Sequence, residues 1–237
     1  VPIAPISQQH DLTIQQAYQI QLINMRQSLE HGKVITGKKI GLTSKAMQDS
    51  LKVDQPDFGF LYDSMEVEGD LIPRGAILQP RVEGELAFVL KEDLAGEVTA
   101  AQVLAATAYV VPAIEIVGSR IKDWKLTIVD TVADNASCGM YKLAERRLDP
   151  RAVDLAQVSL TLSRNGIQIN QGLGAHVMGH PANAVAWLAR CLGEYGVTLN
   201  RGDVVLAGAL SAAVPAEPSD TFCCDFGEHG SLQIQFL

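Results

Sequence analysis

Residues 79–90 of the chain read Gln-Pro-Arg-Val-Glu-Gly-Glu-Leu-Ala-Phe-Val-Leu. The run from Gly84 to Leu90 is apolar apart from Glu85, and its short length predicts a β-strand that enters the protein interior. Glu83 and Glu85 are two residues apart, so both side chains point to the same face of that strand. Two carboxylates side by side near a core repel each other unless a cation lies between them.

A third acid, Glu115, stands alone in another apolar run that reads as a strand. Burying an unpaired carboxylate is costly, by roughly several kcal/mol. One Mg²⁺ or Mn²⁺ held by Glu83, Glu85 and Glu115 would remove both problems, because hard cations prefer oxygen ligands. The alternative is that Glu83 and Glu85 line a solvated sheet face while Glu115 pairs with Arg81 or Arg120.

Helices and short strands alternate irregularly along the chain. Capping boxes predict helices that begin after Thr13 and after Thr99, and Pro181 predicts the first turn of another. A short helix is expected from Thr43 or Ser44 through Leu51. Turn residues separate the predicted strands, which cover residues 34–42, 76–79, 84–90, 113–117, 155–164, 203–206 and 231–236. Without a regular β-α-β alternation, this pattern predicts an α+β fold with mostly antiparallel or mixed sheets.

Composition limits the class of protein. The chain has 237 residues, of which 47 % are apolar and 19 % charged, which excludes a disordered or coiled-coil protein. We expect one catalytic domain over residues 1–237, with a helical N-terminal segment over about 1–33 and a β-rich metal-binding core over about 71–237. A net charge of −8 argues against nucleic acid and anionic membrane as partners. An anionic substrate then requires local cations or a metal in the site.

The cysteines and the hydropathy pattern indicate the compartment. Four cysteines without metal-ligand spacing indicate reduced thiols in a cytoplasmic protein. Cys223 and Cys224 would point to opposite faces of a strand. No apolar run reaches the roughly 18 residues that a membrane span needs.

Residues 37–45, Gly-Lys-Lys-Ile-Gly-Leu-Thr-Ser-Lys, offer a second candidate site. If Lys38 faces solvent, Lys39 faces inward among apolar neighbours. A partly desolvated lysine near a metal has a lowered pKa, so Lys39 is a candidate acid or base near neutrality. The alternative is a surface strand with solvated lysines. His176 and His180 have the spacing of a zinc pair on a helix, but Gly179 and Pro181 flank His180 and argue against a continuous helix through both. We expect His180 to close the loop before the helix that begins at Pro181.

These segments together resemble the 2-hydroxypenta-2,4-dienoate hydratases of meta-cleavage pathways, which have the fumarylacetoacetate hydrolase type of fold. The resemblance covers nearly the whole chain and is carried by residues 37–45, 53–59, 79–85, 115–124, 130–139 and 179–181. It implies a mixed β-roll or barrel-like sheet with peripheral helices. It also implies a set of site residues: metal ligands Glu83, Glu85 and Glu115, acid–base groups Lys39 and Asp57, and substrate-binding residues Ser137, Leu42 and Arg81.

The resemblance implies a hydro-lyase that adds water to a small 2-hydroxydienoate with the help of Mg²⁺ or Mn²⁺. A 4-oxalocrotonate decarboxylase of the same superfamily is the main alternative. A carbon–carbon hydrolase of this fold and a non-catalytic partner subunit that keeps the metal site are the others. The expected assembly is a ring-shaped homo-oligomer, a pentamer or decamer, and association with other enzymes of the pathway stays open.

Overall fold

The strands in the described part of the chain form two β-sheets. The computed structural model describes residues 1–45, 48–49 and 52–237. The larger sheet has the order β2-β1-β9-β4-β5-β6, with β10 paired to β4, and only β1 and β9 run parallel. Its strands are β1 (Ile35–Gly41), β2 (Asp57–Tyr62), β4 (Arg81–Leu90), β5 (Thr107–Val117), β6 (Met140–Leu143), β9 (Val204–Ala209) and β10 (Val214–Pro215).

The smaller sheet has the order β3-β12-β11-β7-β8. Its strands are β3 (Leu71–Ile72), β7 (Ser159–Arg164), β8 (Ile167–Leu173), β11 (Thr221–Asp225) and β12 (Ser231–Phe236). The two sheets approach each other closely at Gly84, where a Cβ would lie 2.6 Å from Leu160 Cδ2 and 3.2 Å from Cys224 Sγ. Cys224 is buried and Cys223 is not, as expected for neighbours on opposite faces of β11.

Among the described residues, four α-helices lie around the sheets: α1 (Ile14–Glu30), α2 (Ala100–Ala106), α3 (Ile128–Ala133) and α4 (Pro181–Glu194). Both predicted capping boxes are present at Thr13 and Thr99. At α1, Gln16 N donates to Thr13 Oγ1 (3.2 Å) and Thr13 N donates to Gln16 Oε1 (2.9 Å). Mixed sheets with peripheral helices confirm the α+β prediction. None of the helices in the described part of the chain combines the length and apolar character that a bilayer crossing requires.

Strand β1 differs from its prediction in the environment of Lys38. Lys38 was expected to face solvent, but its side chain is buried and forms an ion pair with Asp203, with Nζ 2.5 Å from Oδ2. The reason is the position of β1, which lies between β2 and β9 and is covered by α4. The alternative of a surface strand with solvated lysines is therefore also wrong. Both faces of β1 are interior, with Lys38 on one and Lys39 on the other.

Gly37 brings β1 very close to β9. A Cβ at this position would lie 1.9 Å from the carbonyl oxygen of Val204, which faces it across the parallel pair. Glycine is therefore the residue that this contact requires.

Several predicted boundaries are wrong. Residues 76–79 form bends instead of a strand. The predicted strand 155–164 begins only at Ser159, because Asp154 Oδ1 accepts from Ala156 N (3.1 Å) and stabilises a turn. Strand β2 is missing from the predicted strands, because it is buried on both faces and so lacks polar alternation. The short helix predicted to end at Leu51 lies partly outside the described residues.

His180 is the N-cap of helix α4 and ends the preceding loop, as expected. Its Nδ1 accepts a hydrogen bond from Ala182 N (3.1 Å). Only the neutral imidazole can accept this bond. Burial lowers the pKa of His180 below its ordinary value, and Asp154 partly opposes the shift. A histidine with a lowered folded-state pKa contributes its full stability above the unfolded pKa of about 6.5 and loses it as the pH falls through the folded-state pKa.

We predict that His180→Asn makes the unfolding free energy less dependent on pH, because asparagine is also a good N-cap but does not titrate. Urea unfolding at about pH 7.5 and about pH 5 should show wild-type protein losing more stability on acidification than the variant. His10→Asn, the same change at an exposed histidine, is the control. Equal losses in all three proteins would show that the cap does not titrate in this range.

Candidate metal centre and active site

Strands β4 and β5 bring three carboxylates together. Glu83 and Glu115 face each other across the antiparallel pair, and Glu85 follows on the same face of β4. Each residue offers one carboxylate oxygen, and these oxygens all lie within 4.8 Å of one another. Glu85 and Glu115 are buried, at 0 % and 1 % exposure, whereas Glu83 is partly exposed. The alternative in which Glu83 and Glu85 line a solvated sheet face is therefore wrong for Glu85.

The oxygens of this cluster have few protein partners. Gly208 N donates to Glu85 Oε2 (2.9 Å), but Glu85 Oε1 and both oxygens of Glu115 are buried without a hydrogen-bond donor among the described residues. Burial and mutual repulsion raise the pKa of Glu83 to about 7, and they raise that of Glu85 well above its ordinary value. Buried, converging oxygen lone pairs are the donor set that a hard divalent cation requires. The cluster fits such a cation.

Lys39 supplies a positive charge next to the carboxylate cluster. Its Nζ lies 3.4 Å from Glu115 Oε1, so Glu115 pairs with Lys39 and not with Arg81 or Arg120. Arg120 instead contacts Asp134, with Nε 2.5 Å from Oδ1.

The surrounding charges determine the pKa of Lys39, which is predicted to lie near neutrality beside a bound metal. Burial by itself lowers the pKa of Lys39, but the negative charges of Glu115, Asp57 and Glu83 outweigh it and raise the pKa above its ordinary value. A bound dication acts in the opposite direction on the same lysine.

Asp57 lies beside Lys39 at the start of β2. A Cβ at position 41 would lie 2.3 Å from Asp57 Oδ1 and 3.3 Å from Lys39 Nζ, so Gly41 leaves room for the two charged groups to approach. Asp57 Oδ2 accepts a hydrogen bond from Thr131 Oγ1 (3.4 Å), and Oδ1 is buried without a described donor. Burial raises the pKa of Asp57, although Lys39 lowers it. A carboxyl group with a raised pKa is suited to carry a proton.

Ser137 is linked to Asp57 through Thr131, whose Oγ1 lies 3.2 Å from Ser137 Oγ. The backbone of Asn135, Ala136 and Ser137 is left-handed at three successive residues, with φ values of 55°, 51° and 56°. Such strain persists only where neighbouring contacts enforce it. Here the Asn135 side chain accepts from Phe60 N (2.8 Å) and donates to Phe60 O (2.9 Å), which anchors the segment to β2.

One cavity of about 650 Å³ connects these groups. Six of the eight residues expected at the site line it, and the other two, Glu85 and Glu115, form the carboxylate cluster with one of the six, Glu83. The six are Lys39, Leu42, Asp57, Arg81, Glu83 and Ser137. Its volume is within the range of about 300–1,000 Å³ usual for small-molecule sites.

The sequence analysis missed Thr131, Trp124 and the backbone N–H of Gly208 as parts of this site. Thr131 lies on α3, whose start could have been found, because Thr127 and Asp130 have capping-box spacing and form that box. Trp124 stacks on Arg81, with the guanidinium carbon 4.3 Å from the ring centroid. No sequence signal identifies Gly208, because a backbone group makes the contact.

Residues 24–236 match the family described as fumarylacetoacetate (FAA) hydrolase C-terminal. The chain belongs to the fumarylacetoacetate hydrolase family. Within this family it is similar to enzymes named hydratases, which are hydro-lyases. It is 48 % identical to a 2-hydroxyhexa-2,4-dienoate hydratase of Comamonas testosteroni, over 99 % of this chain and 90 % of that protein. It is 46 % identical to a 2-keto-4-pentenoate hydratase of Paraburkholderia xenovorans, over 99 % and 88 %.

A solved structure is also very similar to this chain. The 4-oxalocrotonate decarboxylase from Pseudomonas putida G7, complexed with magnesium and adipate, superposes with a TM-score of 0.96 at 32 % identity. The alignment covers 100 % of this chain and 91 % of that one. Its agreement with the present fold confirms the expected fumarylacetoacetate hydrolase type of architecture.

We predict that Glu115→Gln weakens Mg²⁺ and Mn²⁺ binding by at least about tenfold, because it removes one anionic ligand of three. Isothermal titration calorimetry of metal-free protein measures this directly. Glu92→Gln makes the same chemical change at an exposed site and should bind metal normally. Unchanged affinity in Glu115→Gln would show that the cluster is not the metal site, and circular dichroism checks that both variants are folded.

Proposed function

We propose that this chain catalyses the divalent-metal-dependent hydration of 2-hydroxypenta-2,4-dienoate, or a close homologue, to 4-hydroxy-2-oxopentanoate in meta-cleavage degradation of aromatic compounds. The observation that carries the proposal is the single cavity in which the carboxylate cluster adjoins Lys39 and Asp57. The names of the relatives at 46–48 % identity support the same reaction class.

The proposed metal is Mg²⁺ or Mn²⁺, held by Glu83, Glu85 and Glu115. When bound, it would supply a Lewis acid for the carboxylate and the C2 oxygen of the substrate. Glu85 is oriented for this task by Gly208 N, which donates to one oxygen and leaves the other free.

Hydration requires two proton-transfer stages. First the enol loses its O–H proton and C5 gains one, which gives a 2-oxo-3-enoate. Then the oxygen of water forms a bond to C4, water loses a proton and C3 gains one. The sum is the addition of one water molecule, so the protein must both accept and return protons.

We assign these transfers to Lys39 and Asp57, which line the cavity side by side. Asp57 is linked to Ser137 through the hydroxyl group of Thr131. These three side-chain oxygens would orient a bound water or pass a proton between them. Ser137, Leu42 and Arg81 are the proposed substrate-binding residues, because all three line the same cavity.

A 4-oxalocrotonate decarboxylase is the second candidate, and the TM-score of 0.96 to such an enzyme favours it. Sequence identity favours the hydratase, at 46–48 % against 32 %. The two activities differ in substrate and product, since the decarboxylase releases CO₂ from a six-carbon diacid.

The direct experiment follows the absorbance of 2-hydroxypenta-2,4-dienoate with metal-loaded and EDTA-treated protein and identifies the product by mass. Metal-dependent formation of 4-hydroxy-2-oxopentanoate is expected. Full activity after EDTA treatment contradicts the metal assignment. Turnover of the diacid with CO₂ release, and none of the dienoate, would establish the decarboxylase instead.

We predict that Lys39→Ala and Asp57→Asn each lower kcat by at least about a hundredfold, because a general acid or base typically contributes about 10²–10⁴ in rate. Metal affinity should fall far less, since neither residue is a proposed ligand. If the two groups serve different stages, only one variant still incorporates solvent deuterium at C5.

Exposed positions provide the controls for this pair, namely Lys91→Ala and Asp11→Asn. A near-normal rate in Lys39→Ala would mean that this lysine is structural. The reaction would then need another proton donor.

We also propose a cytoplasmic, ring-shaped homo-oligomer, a pentamer or decamer. Exposed apolar side chains on strand β8 support self-association, since Ile167, Ile169 and Leu173 are 72 %, 38 % and 37 % exposed. Sedimentation velocity measures the assembly, and an active monomer would contradict it.

A further inference from the structure

Arg81 differs from the other cation of the cavity in forming no close ion pair, although the charge of Glu83 acts on it. Lys39 is paired with Glu115, whereas the Arg81 guanidinium forms no ion pair and donates no hydrogen bond within the described part of the chain. Arg81 lies two residues before Glu83 on the same face of β4, so it stands next to the carboxylate cluster, toward the beginning of the strand. Five N–H donors thus remain available in a partly buried cavity.

The side chain of Trp124 lies against this guanidinium, 4.3 Å from ring centroid to guanidinium carbon. The indole is fixed by its own hydrogen bond, because Trp124 Nε1 donates to Gln79 O (2.9 Å). Its backbone is left-handed, with φ 54°, and so is that of Asp123, with φ 58°. Two successive non-glycine residues in this conformation need external contacts to hold them.

Gln79 supplies those contacts. Its Nε2 donates to Ser119 O (2.9 Å) and Ile121 O (2.7 Å), and its Oε1 accepts from Asp123 N (2.6 Å). One amide side chain therefore ties the segment 119–124 to position 79, two residues before β4 begins. The network ends at Arg81 and includes none of the three glutamates.

We infer that Gln79 and Trp124 are positioning residues that hold the Arg81 guanidinium flat and in place to bind the carboxylate of the substrate. The inference rests on the proposed function for the identity of that substrate. A planar guanidinium binds a carboxylate through two parallel hydrogen bonds when its plane is held, and stacking on an aromatic ring holds it. In a chain of net charge −8, an unpaired arginine in the cavity also makes the site locally favourable for an anion.

Steady-state kinetics of the metal-loaded enzyme test whether Trp124 acts through Arg81. Arg81→Met should raise KM roughly 10- to 100-fold with kcat changed only a few fold, since a charged hydrogen bond in a partly buried site is lost. Trp124→Leu, which keeps an apolar wall, should raise KM roughly three- to tenfold. In the Arg81→Met background, Trp124→Leu should add less than about twofold, because its effect passes through the missing guanidinium.

Two further variants test the role of Gln79 and provide a control for the loss of a stacked arginine. Gln79→Leu should reproduce the rise in KM of Trp124→Leu, and circular dichroism checks that it is folded. Arg147 stacks on Tyr109 at 4.2 Å on the exposed surface, so Arg147→Met removes a similar pair and should leave KM unchanged. Additive effects of Arg81→Met and Trp124→Leu would overturn the inference, since Trp124 would then be only a wall of the cavity.

A spectroscopic measurement separates this inference from the proposed reaction. The chain has two tryptophans, so Trp187→Phe leaves Trp124 as the only indole reporter. Oxalate added to the Mg²⁺-loaded variant should change the emission of Trp124, and Arg81→Met should abolish the change and raise the oxalate Kd at least about tenfold.

The outcomes are distinct. If no dienoate is hydrated but the oxalate signal depends on Arg81, carboxylate recognition stands and the proposed function fails. If hydration occurs but Arg81→Met changes neither KM nor oxalate affinity, the inference is wrong and the proposed function stands.

Discussion

Repulsion among three carboxylates on neighbouring apolar strands is the constraint on which the arrangement of the site depends. Glu83, Glu85 and Glu115 converge within 4.8 Å in a region where water cannot screen them well. Lys39 contributes one positive charge, which leaves the group of four at −2 when all three acids are ionised. One divalent cation brings that sum to zero. The three carboxylates therefore require positive charge nearby. The buried lone pairs, the raised pKa values of the glutamates and the adjacent lysine all follow from this requirement.

The same requirement explains how an acidic protein could bind an acidic substrate. The overall charge of −8 would repel an anion approaching from solvent. Inside the cavity a bound divalent cation would neutralise the carboxylate cluster, and the Arg81 guanidinium, which forms no ion pair among the described residues, would offer a positive charge to an anion. The net charge of the chain and the charges inside the cavity thus have separate roles. The first favours solubility, and the second would favour binding of an anionic substrate.

Local sequence patterns were sufficient for those parts of the fold whose stabilising contacts are local. The capping boxes at Thr13 and Thr99 and the proline of α4 gave correct helix starts, because each depends on residues within one turn. The carboxylate cluster could be anticipated for a similar reason, since an i, i+2 pair in a strand shares a face whatever the rest of the chain does.

What the sequence missed depends on contacts between distant segments. Strand β2 has no polar alternation because both of its faces are covered, so the pattern did not predict it. Lys38 looked exposed because its partner, Asp203, is 165 positions away along the chain. The raised pKa of Lys39 has the same origin, since Glu115 and Glu83 come from other strands. Thr131 and Gly208 enter the site only through the packing of α3 and β9.

The contact at Gly37 has a consequence for how the chain distinguishes two identical side chains. Lys38 and Lys39 are adjacent, and a slip of β1 by one residue would move one of them into the place of the other. A slip in one direction would put Gly37 beside Asp203, and a slip in the other would put Ile40 beside the carboxylate cluster, so one acidic site would lose its lysine. Steric exclusion at the Val204 carbonyl opposes the same slips, because a slipped strand would bring Thr36 or Lys38 to a place that has no room for a Cβ. A residue without a side chain thereby helps to determine which of the two lysines lies beside the carboxylates.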